Sequence, residues 1–315
     1  MNKLRIVFMG TPDFAVGILD TLVKNSYEVV GVITAPDKPA GRGRKLQESA
    51  VKKYAVANNL NVLQPTNLKN EDFIEELKAL QANLQIIVAF RMLPKVVWEI
   101  PEFGTFNLHA SLLPDYRGAA PINWTIINGE TKTGATTFFI DDKIDTGEII
   151  LQSEIDITEN DTAGTLHDKL MHSGASLVLE TVQLIEKGEV TTKAQPKTPI
   201  EKVAYKIHKD TCEINWDKPI ETIYNHIRGL SPYPASWTTL YTNDEELFLK
   251  VYQVEIEKTT HDFKLKSVIF DKKTIKIAVE GGFVQLLEIQ LPGKRKMKTQ
   301  DVLNGLKLSE NAHVG

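Results

Sequence analysis

The sequence predicts an α/β protein of two domains, and three observations support this prediction. Short β-branched runs alternate with amphipathic segments between residues 4 and 187. A polar stretch containing Pro196 and Pro199 follows, and strand-like segments with tight turns occupy most of the remainder. Alternating strands and helices favour right-handed crossovers in a mostly parallel, Rossmann-like sheet. The later segments predict a small, OB-like antiparallel β-barrel.

These patterns place an N-terminal domain at residues 1–188, a linker at 189–206 and a C-terminal domain at 207–315. In the first domain, strands are predicted at residues 4–9, 29–34, 84–90, 105–108, 135–140 and 148–155, and helices at 14–23, 49–58, 71–80 and 165–186. In the second domain, a helix is predicted at 220–228 and strands at 237–241, 247–256, 263–270, 274–279 and 283–291. The helices have apolar residues at helical spacing, and the strands are short and bounded by turn residues.

The turn after the first predicted strand, Gly10-Thr11-Pro12-Asp13, lies where dinucleotide-binding proteins carry Gly-x-Gly-x-x-Gly. That pattern is missing, which argues against a nicotinamide cofactor. Gly10 and Pro12 instead suit a tight turn with proline at the start of a helix. In such a fold, ligands are expected at the carboxyl ends of the strands.

Composition restricts the classes of function. Of 315 residues, 42% are apolar and 25% are charged, as in a soluble globular protein, and the first apolar run stops at Gly10, too early for a signal peptide or a membrane span. The single cysteine, Cys212, permits no intrachain disulfide and favours the cytoplasm; with no base near it in sequence, it is interpreted as structural. Because the net charge is −4, any contact with nucleic acid must come from local basic patches.

Candidate catalytic residues stand at the end of a predicted strand. Asn107 and His109 are two residues apart, so their side chains project from one face while Leu108 faces the other way. Both can therefore touch one substrate atom. A second apolar strand leads into an acidic turn that contains Asp145, whose carboxylate can orient or charge the imidazole.

A metal site made of His109, Asp141, Asp142 and Asp145 is an alternative for the same segment. The spacing argues against it, because zinc sites usually contain closely spaced His or Cys pairs and this segment has one histidine. No metal is therefore predicted. For Asp141 and Asp142 two interpretations stay open, a solvated turn or the lining of a ligand pocket.

The Asn-x-His pair is followed by Ser111-Leu112-Leu113-Pro114, Arg117-Gly118 and, later, Asp145-Thr146-Gly147. In this arrangement the chain resembles the formyltransferases that use 10-formyltetrahydrofolate. The resemblance implies that Asn107 and a protonated His109 stabilise a tetrahedral oxyanion, while Asp145 raises the basicity of the imidazole and helps to move the amine proton. It also implies a folate site formed by Val88, Ala89, Phe90, Leu93, Ser111, Leu112, Leu113, Pro114, Ile140 and Asp141.

Two arginines near this site have open interpretations. Related proteins often carry glycine where this chain has Arg91, so the shape of that wall of the folate pocket is not predicted. Arg117 either binds an anion or holds its loop to a carboxylate, and the second interpretation is preferred.

Two basic segments, together with the run Arg117-Gly118-Ala119-Ala120-Pro121-Ile122, carry a narrower resemblance, to the members of the family that formylate methionyl-tRNA. One is a glycine-rich insertion at residues 36–46, and the other is a turn at 294–298 with four cations in five residues. The resemblance implies that initiator methionyl-tRNA is bound by Lys38, Arg42, Arg44, Lys45, Lys294, Arg295, Lys296 and Lys298, with cations meeting phosphates. The alternative for the insertion is a solvated surface loop. Five lysines of the connecting segment either extend this basic tRNA-binding surface or only make the connecting segment soluble: Lys193, Lys197, Lys202, Lys206 and Lys209.

Three functional hypotheses follow. The preferred one is a monomeric cytoplasmic enzyme that moves a formyl group from 10-formyltetrahydrofolate, as co-substrate, to the amino group of initiator methionyl-tRNA, without a metal and without a membrane. The second keeps this chemistry but uses an amino sugar nucleotide or a small ribonucleotide amine as acceptor. The third is a non-catalytic RNA-binding protein, which would not need the complete set of Asn107, His109 and Asp145.

Overall fold

The computed structural model describes residues 3–40, 45–197 and 201–315. By its internal contacts the chain divides into two compact units. The first comprises Met1–Gly118, Lys132–Ile155 and His167–Val203, and the second comprises Ala119–Thr131, Asp156–Leu166 and Ala204–Gly315. Each unit is therefore assembled from segments that are separated along the chain. The contiguous bounds 1–188, 189–206 and 207–315 stay a prediction.

Strands and helices alternate in the first half of the chain, and strands predominate after α7. The strands are β1 (Arg5–Gly10), β2 (Glu28–Ile33), β3 (Lys38–Ala40), β4 (Lys45–Gln47), β5 (Val62–Leu63), β6 (Leu84–Val88), β7 (Thr105–His109), β8 (Arg117–Gly118), β9 (Lys132–Phe139), β10 (Ile149–Asp156), β11 (Val203–Ala204), β12 (Ser236–Thr242), β13 (Glu245–Lys258), β14 (Val268–Phe270), β15 (Ile275–Val279), β16 (Gly282–Gln290), β17 (Met297–Lys298) and β18 (His313–Val314). The helices are α1 (Asp13–Lys24), α2 (Ala50–Ala57), α3 (Glu71–Ala79), α4 (Lys95–Trp98), α5 (Pro121–Ile127), α6 (Ala163–Lys187), α7 (Ile220–Leu230) and α8 (Thr299–Leu303), with a 3-10 turn at Asp210–Cys212.

The first unit contains a seven-stranded sheet in the order β10-β9-β7-β6-β1-β2-β5. β1 pairs in parallel with β2 and β6, β2 with β5, and β6 with β7, whereas β7 and β9 are antiparallel. The parallel strands have their carboxyl ends at one edge, the edge at which α/β sheets bind ligands. Val88 of β6 pairs with Leu108 of β7, so the ends of these two strands lie side by side there.

Local sequence explains how the helices of this unit begin and pack. Helix α1 buries Phe14, Ile18 and Leu22, which recur at helical spacing. Helices α2 and α3 start at N-cap side chains: Ser49 Oγ accepts a 3.0 Å hydrogen bond from the N–H of Lys52, and Asn70 Oδ1 accepts one of the same length from the N–H of Phe73. Such caps satisfy main-chain donors that have no partner inside the helix.

The second unit contains an antiparallel sheet in the order β14-β15-β16-β13-β12-β18, with β17 paired to β16. Its two edges meet, because Ser267, next to β14, forms a bridge with His313 of β18. The sheet therefore curls into a nearly closed barrel. Its core contains apolar side chains from the strands and from α7, among them Ile227, Leu240 and Val284.

The predicted fold class is confirmed in both parts, the mostly parallel sheet and the antiparallel barrel. The predicted strand at 263–270 is wrong in its first half, because Lys266 has φ +70°, which interrupts an extended backbone, and only Val268–Phe270 is a strand. Strand β18 is not predicted, since two residues carry no periodicity. In the part of the chain that the structure describes, no helix has both the length and the apolar character that crossing a membrane requires.

Candidate active site

The predicted catalytic residues come together at the end of β7. In the sheet, Asn107 lies between Ile87 and Phe138, and His109 is the last residue of the strand. Their spacing of two residues puts both side chains on one face. Nδ1 of His109, a buried residue, lies 3.9 Å from Oδ2 of Asp145. The catalytic roles expected for these residues stay a prediction, but the three side chains lie at one end of the sheet.

The carboxamide of Asn107 has unused hydrogen-bonding capacity. Its Oδ1 is buried and has no hydrogen-bond partner among the described residues. A buried polar atom left unpaired costs about 1–3 kcal/mol, and such an atom in a native protein requires an explanation. A ligand bound beside Asn107 would provide one. Because the oxygen and nitrogen of a carboxamide exchange places by rotation, Asn107 can offer either an acceptor or a donor.

A main-chain carbonyl holds the ring of His109. Nε2 lies 2.8 Å from the carbonyl oxygen of Tyr116. Because a carbonyl oxygen only accepts hydrogen bonds, Nε2 must carry the hydrogen, and in the neutral ring the lone pair is then on Nδ1. Tyr116 has a left-handed backbone, φ +59°, and its N–H donates to the carbonyl oxygen of Lys202 at 2.6 Å. Nδ1, the nitrogen near Asp145, is therefore the ring nitrogen that the Tyr116 carbonyl leaves available.

Asp145 occupies a turn between β9 and β10. Its backbone is left-handed, with φ +53°, a conformation that costs a non-glycine residue about 1–3 kcal/mol. Oδ2 accepts a 3.0 Å hydrogen bond from the N–H of Gly118. The 3.9 Å separation from Nδ1 of His109 is too long for a direct hydrogen bond, yet close enough for the carboxylate to stabilise a charged imidazole.

Position 147, two residues after Asp145, requires glycine for a steric reason. A Cβ atom on Gly147 would lie 1.7 Å from the carbonyl oxygen of Phe139 and 2.9 Å from its carbonyl carbon. Only a residue without a side chain lets the turn pass so close to the end of β9. The position of Asp145 therefore depends on Gly147.

Four of the predicted folate residues, called the apolar wall below, pack in two adjoining clusters. Phe90, Leu93 and Ile140 belong to one core cluster, and Ile140 also packs against Leu113. Val88 is fully buried at the end of β6, and the next residue, Ala89, is exposed with φ +48°. The chain thus turns sharply where β6 ends and leads directly into this wall.

In the loop at 111–114, Ser111 and Leu113 form hydrogen bonds with other groups of the protein. Ser111 Oγ donates to the carbonyl oxygen of Asp115 at 2.6 Å. The N–H of Leu113 donates to Thr136 Oγ1 at 3.1 Å, and the carbonyl oxygen of Leu113 accepts a 3.0 Å hydrogen bond from Gln152 Nε2. The main-chain N–H of Leu113 is therefore already bonded within the protein. Leu112 and Pro114 are half-buried, so part of each apolar side chain stays accessible.

Asp141 shapes the turn that leads to Asp145. It is exposed, and its Oδ1 accepts hydrogen bonds from the N–H of Lys143 at 3.0 Å and from Thr146 Oγ1 at 2.8 Å. It also lines, with Ile140, an open cleft of about 310 Å³. Both interpretations of Asp141 thus agree with its position. Among residues 3–40, 45–197 and 201–315, no group of three or more His, Cys, Asp or Glu side chains is arranged to hold a metal ion.

Arg91 fastens the apolar wall to the loop after β5. Its Nη1 donates to the carbonyl oxygen of Thr66 at 3.0 Å, and Nη2 donates to that of Pro65. The guanidinium carbon lies 5.5 Å from the centre of the Phe90 ring, within the range of a cation–π contact. Partial burial lowers the pKa of Arg91 from its ordinary value. The arginine therefore supports one side of the wall.

The structure adds Gln195, which the sequence does not single out because it lies in a polar stretch without periodicity. Its Oε1 accepts hydrogen bonds from Nε and Nη2 of Arg117, at 3.1 and 2.6 Å. Its Nε2 donates to the carbonyl oxygens of Asp145 and Gly147, at 2.9 and 2.8 Å. Arg117 thus holds its loop in place, but through an amide oxygen and not through the carboxylate that the sequence suggested.

The predicted tRNA contacts are exposed where the structure describes them. β3 and β4 pair antiparallel with Lys38 opposite Gln47, and Lys38 is exposed. Arg42 and Arg44 lie outside the described residues, and for Lys45 only the backbone is described. In the barrel, four cations are exposed: Lys294, Arg295, Lys296 and Lys298. Of these, Lys296 forms a 2.6 Å ion pair with Glu288.

Comparison with known families and proteins identifies the class. A family model described as formyl transferase matches residues 4–182, and one described as formyl transferase, C-terminal domain, matches residues 206–307. The chain belongs to the formyltransferase family. It is 62% identical over 314 residues to the methionyl-tRNA formyltransferase of Flavobacterium johnsoniae, with 100% of both chains covered. The protein of the same name from Parabacteroides distasonis is 55% identical over 323 residues, covering 100% of this chain and 99% of the relative.

Solved structures share the fold. The N-formyltransferase of Helicobacter canadensis, in complex with folinic acid and dTDP-3-aminofucose, aligns with a TM-score of 0.67 and 23% identity over 93% of this chain and 100% of that chain. HypX of Aquifex aeolicus, in complex with tetrahydrofolic acid, aligns with a TM-score of 0.65 and 15% identity over 98% of this chain and 49% of that chain. These structures share the fold, and the family models and the 62% identical relative confirm the family expected from the sequence.

Proposed function

We propose that this protein transfers a formyl group from 10-formyltetrahydrofolate to the α-amino group of methionyl-initiator-tRNA, producing N-formylmethionyl-tRNA for translation initiation. The observation that carries the proposal is the meeting of Asn107, His109 and Asp145 at the carboxyl edge of the sheet. The identity of 62% over the whole chain to a relative named methionyl-tRNA formyltransferase supports the same acceptor.

The chemistry requires stabilisation of an oxyanion and movement of one proton. The folate co-substrate supplies a formyl group bonded to its N10 nitrogen. When the amine attacks the formyl carbon, a carbon–nitrogen bond forms and the formyl oxygen becomes an oxyanion. Asn107 and protonated His109, through Nδ1–H, donate hydrogen bonds to that oxygen. The bond to N10 then breaks, N10 gains one proton and the amine loses one.

Asp145 has two roles in this scheme. Its carboxylate stabilises the positive charge on the His109 ring. The 3.9 Å gap between Oδ2 and Nδ1 also leaves room for the proton of the amine to move through a water molecule. The Tyr116 carbonyl keeps Nε2 occupied, so Nδ1 is the ring nitrogen that donates to the oxyanion. No covalent enzyme intermediate is required.

The residues at this edge fit a flat ligand with apolar faces. Phe90, Leu93, Leu113 and Ile140 supply the apolar wall, and the unpaired Asn107 carboxamide supplies a polar group where the formyl group must lie. We assign four of the remaining predicted folate contacts to the rim of this pocket: Ala89, Leu112, Pro114 and Asp141. Val88 and Ser111 are fully buried, and we assign them to the layer that supports the pocket from behind. The left-handed backbone of Ala89 supports a specialised role for that segment, since such strain is concentrated at functional sites.

Arg91→Gly is expected to raise KM for the folate co-substrate about 10-fold, equivalent to about 1.4 kcal/mol, and to leave kcat and KM for tRNA unchanged. The substitution removes the hydrogen bonds to residues 65 and 66 that fasten the wall beside Phe90. Arg91→Lys keeps the charge without the planar fork, and an intermediate KM is expected. Steady-state kinetics with each substrate varied in turn makes the test, and an unchanged folate KM in Arg91→Gly would reject the supporting role.

Initiator tRNA is the acceptor, and exposed cations bind its phosphates. Because the net charge of the chain is −4, attraction to tRNA must come from clusters of cations and not from the protein as a whole. The turn that follows β16 is such a cluster. Lys294, Arg295 and Lys298 are exposed there. Lys296 is less available, because it is paired with Glu288. The segment at 38–45 forms the second cluster in the sequence.

Replacing Lys294, Arg295 and Lys298 together by serine is expected to weaken tRNA binding and to reduce the slope of log Kd against log salt by about one for each phosphate that is no longer bound. kcat at saturating tRNA should not change, because none of these residues belongs to the catalytic set. The control replaces three exposed lysines elsewhere on the barrel, Lys264, Lys272 and Lys273, with the same change of charge. Equal loss of affinity in both triple variants would show only a general effect of charge.

A formyl-transfer assay tests the function directly. Purified protein, 10-formyltetrahydrofolate with a labelled formyl group and charged initiator tRNA should yield labelled N-formylmethionyl-tRNA. A parallel reaction that offers an amino sugar nucleotide should yield none. Transfer to the sugar and not to the tRNA would contradict the proposal that tRNA is the acceptor. The absence of transfer to either would contradict the proposal that the protein is a formyltransferase.

We further propose that the enzyme acts as a monomer in the cytoplasm. Every side chain used in the chemistry above comes from a single chain, and a single cysteine suits a reducing compartment. Sedimentation equilibrium should give the mass of one chain, 35.3 kDa. A concentration-dependent dimer would contradict the monomer.

A further inference from the structure

Gln195 lies against the turn that carries Asp145, and it uses its whole hydrogen-bonding capacity there. The amide nitrogen has two hydrogens, which it donates to the carbonyl oxygens of Asp145 and Gly147. The amide oxygen has two lone pairs, which accept from Nε and Nη2 of Arg117. Glutamine is the side chain of this length that has two hydrogen-bond donors and two acceptor sites. Glutamate has no donor, and lysine has no acceptor.

The partners of Gln195 form a closed ring of hydrogen bonds with the Asp145 carboxylate. Arg117 is followed by Gly118, whose N–H donates to Asp145 Oδ2 at 3.0 Å. Gln195 thus holds the main chain of the turn from one side and, through Arg117, the segment that holds the carboxylate from the other. The segment that carries Gln195 is itself fixed, because Lys193 and Ile149 exchange main-chain hydrogen bonds of 2.8 and 2.9 Å.

The turn needs such support. Residues 141–144 are exposed, and Asp145 has the unfavourable φ of +53°. A left-handed non-glycine residue persists only where surrounding contacts hold it. The two carbonyl oxygens that Gln195 binds belong to Asp145 itself and to Gly147, so the amide holds the turn on both sides of Thr146. Arg117 directs two donors at Oε1 of Gln195, so the nitrogen end of the amide faces these carbonyls.

We propose that Gln195 is a positioning residue for formyl transfer, acting through Asp145 to set the carboxylate against Nδ1 of His109. This inference rests on the proposed function, since Asp145 has a catalytic role only in that reaction. It also gives Arg117 a function, as the group that orients the amide.

Three variants test the inference. Gln195→Ala is expected to lower kcat about 10- to 100-fold, because displacement of a catalytic group by about 1 Å costs up to about 100-fold. KM for tRNA should not change. Gln195→Glu keeps an acceptor for Arg117 but places a carboxylate against two carbonyl oxygens. Its kcat is expected to fall at least as far as that of Gln195→Ala. If Gln195 served only to bind Arg117, the Glu variant would be fully active. Arg117→Ala combined with Gln195→Ala should lose less than the sum of the two single effects.

A spectroscopic readout separates positioning from general stability. In protein labelled with ¹⁵N-histidine, the ring resonances of His109 should move in Gln195→Ala while the melting temperature stays near that of the wild type. The control is Thr192→Val, in the same segment, which removes a hydroxyl that binds Glu148 and touches neither Asp145 nor Arg117. Its kcat and its His109 resonances should match the wild type.

The outcomes distinguish the two proposals. Wild-type protein without formyl transfer would reject the proposed function, whatever the variants do. An active wild type with a fully active Gln195→Ala and unmoved His109 resonances would overturn the role of Gln195 alone. A loss of kcat in Gln195→Ala equalled by Thr192→Val would also overturn it, because the effect would then belong to the segment and not to the amide.

Discussion

His109→Ala is expected to lower kcat for formyl transfer by about two to three orders of magnitude, the usual effect of removing one donor to an oxyanion. The variant loses the hydrogen bond from Nδ1 to the developing charge, and Asp145 loses the cation that it stabilises. Because the ring is buried at the end of β7 and no tRNA contact is assigned to it, Kd for tRNA should not change. Rapid-quench kinetics and filter binding provide the two measurements.

The matched control for this substitution is His172→Ala. His172 is exposed on α6, where its Nδ1 lies 2.6 Å from the carbonyl oxygen of Asp168, and it has no role in the proposed chemistry. It should have the kcat of the wild type. Full turnover in His109→Ala would remove the imidazole from the mechanism, whereas a loss of both turnover and tRNA binding would indicate misfolding, which circular dichroism would reveal.

Gly147→Ala is expected to lower kcat by up to about 100-fold, the cost of displacing a catalytic group by about 1 Å. A methyl group on residue 147 would lie 1.7 Å from the carbonyl oxygen of Phe139, so the turn or the strand must move. The Asp145 carboxylate moves with it, and Gln195 loses its two carbonyl acceptors. Forced overpacking of this kind also reduces the free energy of unfolding by about 1–3 kcal/mol.

Gly305→Ala provides the control for the added methyl group. No atom lies within 4 Å of a Cβ built at Gly305. Turnover and the midpoint of urea unfolding should match the wild type there and fall in Gly147→Ala. A Gly147→Ala variant with wild-type kcat would mean that the position of Asp145 does not limit the reaction.

Regular periodicity makes much of the fold predictable. The alternation of strands and helices indicates the parallel sheet, and the spacing of two residues between Asn107 and His109 is sufficient to place both on one face. Their meeting with Asp145 is a long-range contact between a strand and a turn, and the sequence indicates it through the resemblance to the formyltransferases. β18, by contrast, closes the barrel with two residues, and so short a strand has no pattern that a sequence can reveal.

Contacts made by the main chain cannot be predicted in the same way. The hydrogen on Nε2 of His109 is set by the carbonyl of Tyr116, and every residue has a carbonyl. Gln195 lies in a stretch whose composition is typical of a linker, and its amide binds two further carbonyl oxygens. A carboxylate is the expected partner of Arg117 because guanidinium groups usually pair with opposite charges, yet an amide oxygen fills that position. Such roles depend on backbone geometry, which side-chain types do not specify.

In the proposed mechanism, the formyl group lies between the Asn107 carboxamide and the His109 imidazole, beside Asp145. A crystal structure with a non-transferring analogue, in which carbon replaces N10 and the formyl group is retained, tests it most directly. The formyl oxygen should lie about 3 Å from both the Asn107 amide nitrogen and His109 Nδ1, the distance of an oxyanion donor. An analogue that is bound with its formyl group away from these two atoms would contradict the mechanism.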